Sequence, residues 1–362
     1  MLFSPKPKTK REELFDRKNE LQNLSTALEM YPITLVTGLR RVGKSSIVRV
    51  FLNESSVYYI YIDGRRVYEI SSGSMGSHSL YRVLELEFAR LSKSRKFLNF
   101  LKRVRGINIA GNGIEIERKE FDLSMMFESF DRFAKKEKRK FVIFFDEAQY
   151  FRFYGSRGGK DILALLSLVY DNMENIRVII TGSEVGILHD FLRLDDYDSP
   201  LYGRPIYTMA VQPFSHDLSV EFLKKGFEEA KLDIDFDIEE VVSKIDGIPG
   251  YLVMFGLKYI ETRDAKKALD EVFLTMKALF EKELSELDKR SKRYRIILKL
   301  IASGVKNWSN IKRYFNSVGD HISDSRLSSL INNLEKMSLI EKTEEGYKIT
   351  DVVLSKIMSE NK

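Results

Sequence analysis

Residues 33–50, ITLVTGLRRVGKSSIVRV, carry the best-defined chemistry in the chain. Gly38, Leu39, Arg40, Arg41, Val42, Gly43, Lys44 and Ser45 match G-x-x-x-x-G-K-[ST] at every fixed position. The apolar, β-branched run before them reads as a buried strand, and the apolar-periodic segment from Ser46 reads as a helix. Between a strand and a helix this pattern has a mechanism. Its glycines let backbone N–H groups curl around a phosphate, and the helix N-terminus adds its dipole. Lys44 is expected to reach the β- and γ-phosphates of a nucleotide, and Ser45 to hold Mg²⁺. The expected nucleotide cradle is Gly38 through Ser46.

A second set of chemical groups lies farther along. The run FVIFF at 141–145 reads as a fully buried strand, and Asp146 and Glu147 follow it. Four or more apolar residues ending in two acids form a Walker B box. Asp146 is expected in the Mg²⁺ shell, and Glu147 is expected to orient and polarise the attacking water.

The bulk numbers bound the rest. The chain has 362 residues, enough for two or three domains, and its 43% hydrophobic content can fill a sizeable core. A formal net charge of +6 is compatible with nucleic acid or an acidic partner. With no cysteine, disulfides and thiolate metal sites are excluded. His78, His189, His216 and His321 form no ligand-spaced cluster. The first residues, MLFSPKPKTKREE, lack the apolar core of a signal peptide, and no apolar run approaches membrane-spanning length. The expectation is a soluble cytoplasmic protein with no membrane partner.

The elements that must position these groups follow in order. Residues 4–11 are basic and Pro-containing and read as a loose arm. Residues 57–62 (VYYIYI) read as a second strand, and the Ser/Gly-rich stretch 71–77 as flexible. Residues 107–117 alternate around an Asn-Gly turn, a hairpin signal flanked by Lys102, Arg103, Arg105, Arg118 and Lys119. It reads either as a solvated edge hairpin or as a partner-binding prong. The charge run KKEKRK at 135–140 reads as a solvated helix end. Residues 151–160, FRFYGSRGGK, read as a mobile loop beside the site. Residues 176–180 and 206–211 read as the fourth and fifth strands.

GLRRVGKSS, FFDEAQ, IITGSE and PLYGR, in this order and spacing, resemble the archaeal P-loop ATPases related to the AAA+ and STAND groups. The resemblance covers about residues 15–256. It implies an α/β fold: a P-loop NTPase core with a parallel sheet in order 5-1-4-3-2, a helical lid and, here, a C-terminal winged helix. It implies ATP and Mg²⁺ as ligands, and no N/T-K-x-D guanine-reading motif is visible. It also implies site residues. The segment around Arg17 is similar to the one bordering the adenine pocket. A sensor group belongs at Thr181 or Ser183, with Ser183 favoured. Arg204, before the fifth strand, stands where an arginine finger does, and equally where a structural salt bridge would. Pro249, in DGIPGYL, is similar to the glycine–proline motif that closes over the base. No arginine stands at the lid position of an AAA+ second sensor.

The tail reads as a separate unit. Helices over 294–303 and 309–315, a third capped by Ser323, and two short strands around 344–346 make a winged helix-turn-helix pattern. Arg326, Ser329, Asn332, Asn333 and Lys336 share the outward face of the third helix with Asp324 and Glu335. That face admits duplex DNA or a protein partner. The expected units are 1–213 (core), 214–288 (lid) and 289–362 (winged helix). The expected function is an ATPase that couples its nucleotide state to DNA or a partner, with oligomers allowed. The alternative is a nucleotide-loaded switch with negligible turnover whose winged helix docks protein.

Overall fold

The computed structural model describes residues 1–71, 75–110 and 113–360. Residues 72–74 of the Ser/Gly-rich stretch, Gly111 and Asn112 of the hairpin turn, and the last two residues of the tail lie outside it.

Five parallel strands make the central sheet: Ile33–Thr37, Tyr58–Asp63, Phe141–Asp146, Ile176–Gly182 and Tyr207–Ala210. Numbered in chain order they lie second–third–fourth–first–fifth, the predicted order read from the other edge. Helices cover both faces. The first and third strands are therefore buried at every position, which explains the β-branched and apolar run of the first and the unbroken apolar run 141–145 of the third. One face packs on helices Ser77–Leu91, Leu123–Glu137 and Lys160–Asn172. The other packs on Lys18–Met30 and Lys44–Glu54. Because the strands are parallel, Thr37, Asp63, Asp146 and Gly182 all end on one edge, with Asp63 level with Asp146 and Thr37 level with Gly182. Such an edge is where an open α/β sheet binds its ligand.

A second core joins the lid to the tail. Helices His216–Glu229, Ile238–Ile245, Pro249–Thr262 and Ala265–Asp288 share one apolar cluster with the winged helix. The winged helix comprises Arg293–Ala302, Trp308–Ser317, Asp324–Lys336 and the strands Ile340–Thr343 and Gly346–Ile349. A final helix, Val352–Glu360, not foreseen from the sequence, packs between the tail and the lid. Its N-terminal neighbour Asp351 accepts a hydrogen bond from the lid's Tyr251.

Two expectations need correction. The arm is not loose: Leu2 and Phe3 are buried in the lid core, with Phe3 edge-on to Phe222 and Phe227. The Leu2 N–H donates to Glu229 at 2.7 Å. Residues 151–160 are not a free loop either, since Phe151 and Tyr154 are core residues and Ala148–Phe153 forms a 3-10 helix. Residues 64–70, unassigned from the sequence, form a helix capped by Asp63. The hairpin Ile107–Ala110 with Gly113–Ile116 is a two-stranded sheet of its own, packed on helix Ser77–Leu91: Ile107, Ile114 and Ile116 are buried, and the Ile116 N–H donates to Glu85 at 2.9 Å.

Candidate functional site

Gly38 shows why the phosphate loop needs its glycines. Its φ is 142°, and a Cβ there would lie 2.4 Å from the Val211 carbonyl oxygen. Only a glycine lets the loop turn this tightly against the end of the fifth strand. The chain then reverses, and Gly43 opens helix Lys44–Glu54. Lys44 is buried at the start of that helix, and its ammonium donates to the carbonyls of Gly38 (2.9 Å) and Leu39 (2.8 Å). Burial pushes Lys44 down to about 8, against the pull of Glu147 and Asp146.

The two acids are held separately. Ser45 donates its hydroxyl to Asp146 at 2.9 Å, Tyr61 donates to the other oxygen at 2.9 Å, and Thr181 also donates to Asp146. Glu147 takes a left-handed backbone, φ 50°, directly after the strand. Its carboxylate accepts from Ser183 at 2.8 Å and from Gln149 at 2.5 Å. Burial works to raise the Glu147 pKa. The Lys44 ammonium and these two donors outweigh it, so the group sits below the ordinary carboxylate range. Glu147 is therefore held ionised.

Thr181 and Ser183 were alternatives in the sequence; each donates to a different carboxylate, and the Thr181 hydroxyl also accepts the Glu147 N–H at 3.2 Å. Tyr61 and Gln149 were missed. Tyr61 lies in a strand whose alternation suggested only packing. Gln149 follows the acids by two and carries no motif signal of its own.

The remaining candidates divide by position. Pro249 starts helix Pro249–Thr262 and lines a cavity of about 440 Å³ with Arg17, Lys44, Ser45 and Ser46. The next residue, Gly250, donates its N–H to the Arg41 carbonyl at 3.1 Å and so joins lid to phosphate loop. Residues 4–8 of the arm line the same cavity, and the Lys8 N–H donates to Ser46 Oγ at 3.1 Å. Arg17 lines it too, but its polar atoms are engaged by protein. They donate to Glu20 (2.7 Å) and to the Val42 (3.2 Å) and Gln212 (3.0 Å) carbonyls, and the guanidinium lies 4.4 Å from the Phe214 ring centroid. Arg17 thus props Val42 of the phosphate loop. Arg40 turns outward to Glu184 (2.8 Å) and to Glu283 of the lid (2.6 Å).

Arg204 is not brought to this site. It precedes the fifth strand, so it stands at the opposite edge of the sheet from the phosphate loop. Its guanidinium holds Asp171 at 2.7 Å and 3.0 Å. The sequence reading that placed it in the catalytic set fails for the chain's own nucleotide site, because parallel strands separate their two ends.

These residues fit a nucleotide and Mg²⁺. The loop curls as a phosphate requires, and the Arg41 Nη1 atom is buried beside the cavity with no hydrogen-bond partner among the described residues. Ser45 and Asp146 supply oxygens only, the short, hard donor set that Mg²⁺ takes when phosphates and water complete its shell.

Comparison with known proteins agrees. A family described as an ATPase domain predominantly from Archaea matches residues 14–255. One described as the MCM protein C-terminal winged helix-turn-helix domain matches residues 288–350. A solved Walker-type ATPase of Pyrococcus abyssi is 43% identical, covers 99% of this chain and 99% of its own, and superposes with a TM-score of 0.90. The Aeropyrum pernix ORC2 protein is 13% identical over 96% of this chain and 95% of its own, with a TM-score of 0.54, a likeness of fold. An uncharacterized protein of Methanocaldococcus jannaschii is 23% identical over 353 residues. Those residues are 94% of this chain but 64% of that relative, so the chain spans less than two thirds of the relative's length. With the ATPase domain matched across residues 14–255, the chain belongs to the ATPase-domain family found predominantly in Archaea.

Proposed function

We propose that the protein binds and hydrolyses ATP with Mg²⁺ and couples its nucleotide state to duplex DNA through the winged helix. One observation carries the reading: the Glu147 carboxylate, oriented by Ser183 and Gln149, stands beside Asp146, which is joined to Ser45. Lys44 and the loop amides bind the β- and γ-phosphates, and Ser45 and Asp146 hold the metal. Bound Mg²⁺ supplies charge neutralisation at the phosphates. Glu147 accepts the proton of the attacking water. The apolar wall of Pro249, Val253 and Met254, with the arm, faces the base.

The coupling has a physical route. Arg40 ties the phosphate loop to Glu283 of the lid, and Arg41 lies 6.0 Å from the ring of Tyr251. Tyr251 bonds Asp351 of the tail. The third tail helix in turn rests on the core just past Ser183: Lys336 pairs with Asp190 at 2.8 Å, and Val185 donates its N–H to Ser338 at 3.1 Å. A Cβ on Gly186 would come within 2.5 Å of the Lys336 Cα, so core and tail backbones touch.

The second reading, a switch with negligible turnover that docks protein, is favoured by the same contacts. They hold the tail against the core while Lys44 is engaged by the loop carbonyls. Phosphate release measured with and without duplex DNA separates the two. Turnover that DNA changes supports the coupled ATPase. Tight nucleotide binding with no release in either condition supports the switch.

A further inference from the structure

The net charge of the chain has an address. Residues 93–140 hold fourteen Lys and Arg against seven Asp and Glu, a surplus of seven that exceeds the +6 of the whole chain. The remainder of the chain, winged helix included, is close to neutral taken together, so the basic surplus belongs to this stretch.

The fold gathers much of that charge around one groove. Helices Arg95–Leu101 and Leu123–Glu137 are bound together by Phe97, Phe100, Phe130 and Phe133, with Phe100 and Phe133 stacked at 4.5 Å. Between them runs a concavity of about 440 Å³ whose rim carries Lys96, Arg103, Arg132 and Lys136. Asn99 adds a neutral amide, Glu137 also lines the groove, and Phe100 and Phe133 form part of its floor. The Ser129 hydroxyl is spent on the Met125 carbonyl at 2.8 Å and accepts from Arg132 at 2.9 Å. Lys102, Lys135, Lys138 and Arg139 are exposed around it.

Two features separate this groove from an ordinary solvated surface. Arg95 and Lys96 occupy the first turn of their helix, where no acid is present and the dipole opposes positive charge. Among the described residues, none forms an ion pair with Arg103 or Lys136, whereas Lys96 is paired with Glu137 at 2.8 Å. The cations flanking the hairpin are spent differently: Arg105 lies 3.8 Å from Glu120, and Arg118 rests on His78. The groove is also far from the chemistry. It borders the Phe141 end of the third strand, through Phe97 and Phe130, while Asp146 ends that strand on the nucleotide edge. Six strand residues separate the two edges by about 17–20 Å. The winged helix rests on Val185–Leu192, which follows the nucleotide edge.

The geometry points to a second nucleic-acid surface on the ATPase core, a cationic groove at Arg103 and Lys136 that takes the phosphodiester backbone of a duplex without reading its sequence. A concave row of guanidinium and ammonium groups, with the Asn99 amide among them, outnumbers the single Glu137 carboxylate of the lining and matches a rod-like polyanion. A flat anionic bilayer does not enter a groove whose aromatic floor is recessed. Backbone contacts of this kind set affinity and salt dependence and leave sequence to other elements.

The test uses the full chain and short duplexes of unrelated sequence, read by fluorescence anisotropy across a salt series. Arg103→Glu with Lys136→Glu should weaken all duplexes alike, on the order of tenfold or more at low salt. It should flatten the log–log salt slope by about two, at roughly 0.9 for each phosphate no longer neutralised. Arg103→Gln with Lys136→Gln should show a smaller loss in the same direction. Nucleotide affinity and melting temperature, unchanged in both, establish that the fold is intact. Lys342→Glu on the wing should leave the groove's share of the salt slope in place. Wild-type affinity and slope in the Arg103/Lys136 variants would overturn the proposal and leave DNA binding to the winged helix. A wild-type chain that ignores duplexes at low salt, or that binds anionic vesicles in their place, overturns it as well.

Discussion

Ser183 donates its hydroxyl to the Glu147 carboxylate at 2.8 Å. Thr181, two residues earlier on the same strand end, donates to the Asp146 carboxylate and accepts only the backbone N–H of Glu147, at 3.2 Å. The metal-side acid and the water-side acid are thus oriented by different hydroxyls. Ser183→Ala should lower turnover about tenfold, the equivalent of one hydrogen bond to a charged group, and leave nucleotide affinity within about twofold. Steady-state kinetics and calorimetric titration check the two numbers.

Glu147→Gln keeps the shape of the side chain and removes its ability to take a proton. The variant should bind ATP normally and lose roughly 10²-fold or more in turnover. Undiminished turnover would take Glu147 out of the reaction.

Lys44 carries opposite signs for binding and stability. Its folded pKa, about 8, lies below the ordinary lysine value because the ammonium is buried. The folded state therefore holds fewer protons than the unfolded chain between about pH 8 and the lysine range, and stability rises with pH across that window. Below it, the buried charge is a full penalty. Lys44→Met should raise the melting temperature of the nucleotide-free protein at pH 7 while removing most ATP affinity. For the native protein, ATP affinity should fall as pH rises through about 8, where the free enzyme loses the ammonium. Melting curves and titrations over a pH series test both signs.

Gly38→Ala places a Cβ 2.4 Å from the Val211 carbonyl in a backbone that side chains rarely adopt. We expect a loss of about 1–3 kcal/mol of stability together with weakened nucleotide binding. Chemical denaturation measures the first and calorimetry the second.

Arg204 is about one-quarter exposed and bound to a half-exposed Asp171, so Arg204→Ala should change stability by less than about 1 kcal/mol. It should leave turnover of dilute protein within about twofold, because Arg204 faces away from its own phosphate loop. Mixing Arg204→Ala with Lys44→Ala protein provides the check. Turnover restored beyond that of either variant alone would assign Arg204 to a neighbouring protomer's nucleotide.

Much of this protein is determined by local pattern. Gly38, Gly43, Lys44 and Ser45 define a phosphate loop because a tight turn and a helix start are short-range events. The β-branched run at 33–37 and the unbroken apolar run at 141–145 predict buried strands, and Ser323 and the short wing strands predict the tail. None of these needs a distant residue. What the tertiary structure decided depends on which chain ends meet. Parallel strands put Asp63, Asp146 and Gly182 on one edge and Arg204 on the other, so a residue adjacent in motif order stands across the sheet from the loop. Tyr61 and Gln149 become acid partners only when the second and third strands pair and the 3-10 helix turns back. The arm carries proline and lysine, which locally favour an open chain. Burial of Leu2 and Phe3 in a lid formed more than two hundred residues later nonetheless holds it in place. Composition reports that the chain is basic. Only packing of two helices about Phe97, Phe100 and Phe133 collects that charge around one groove.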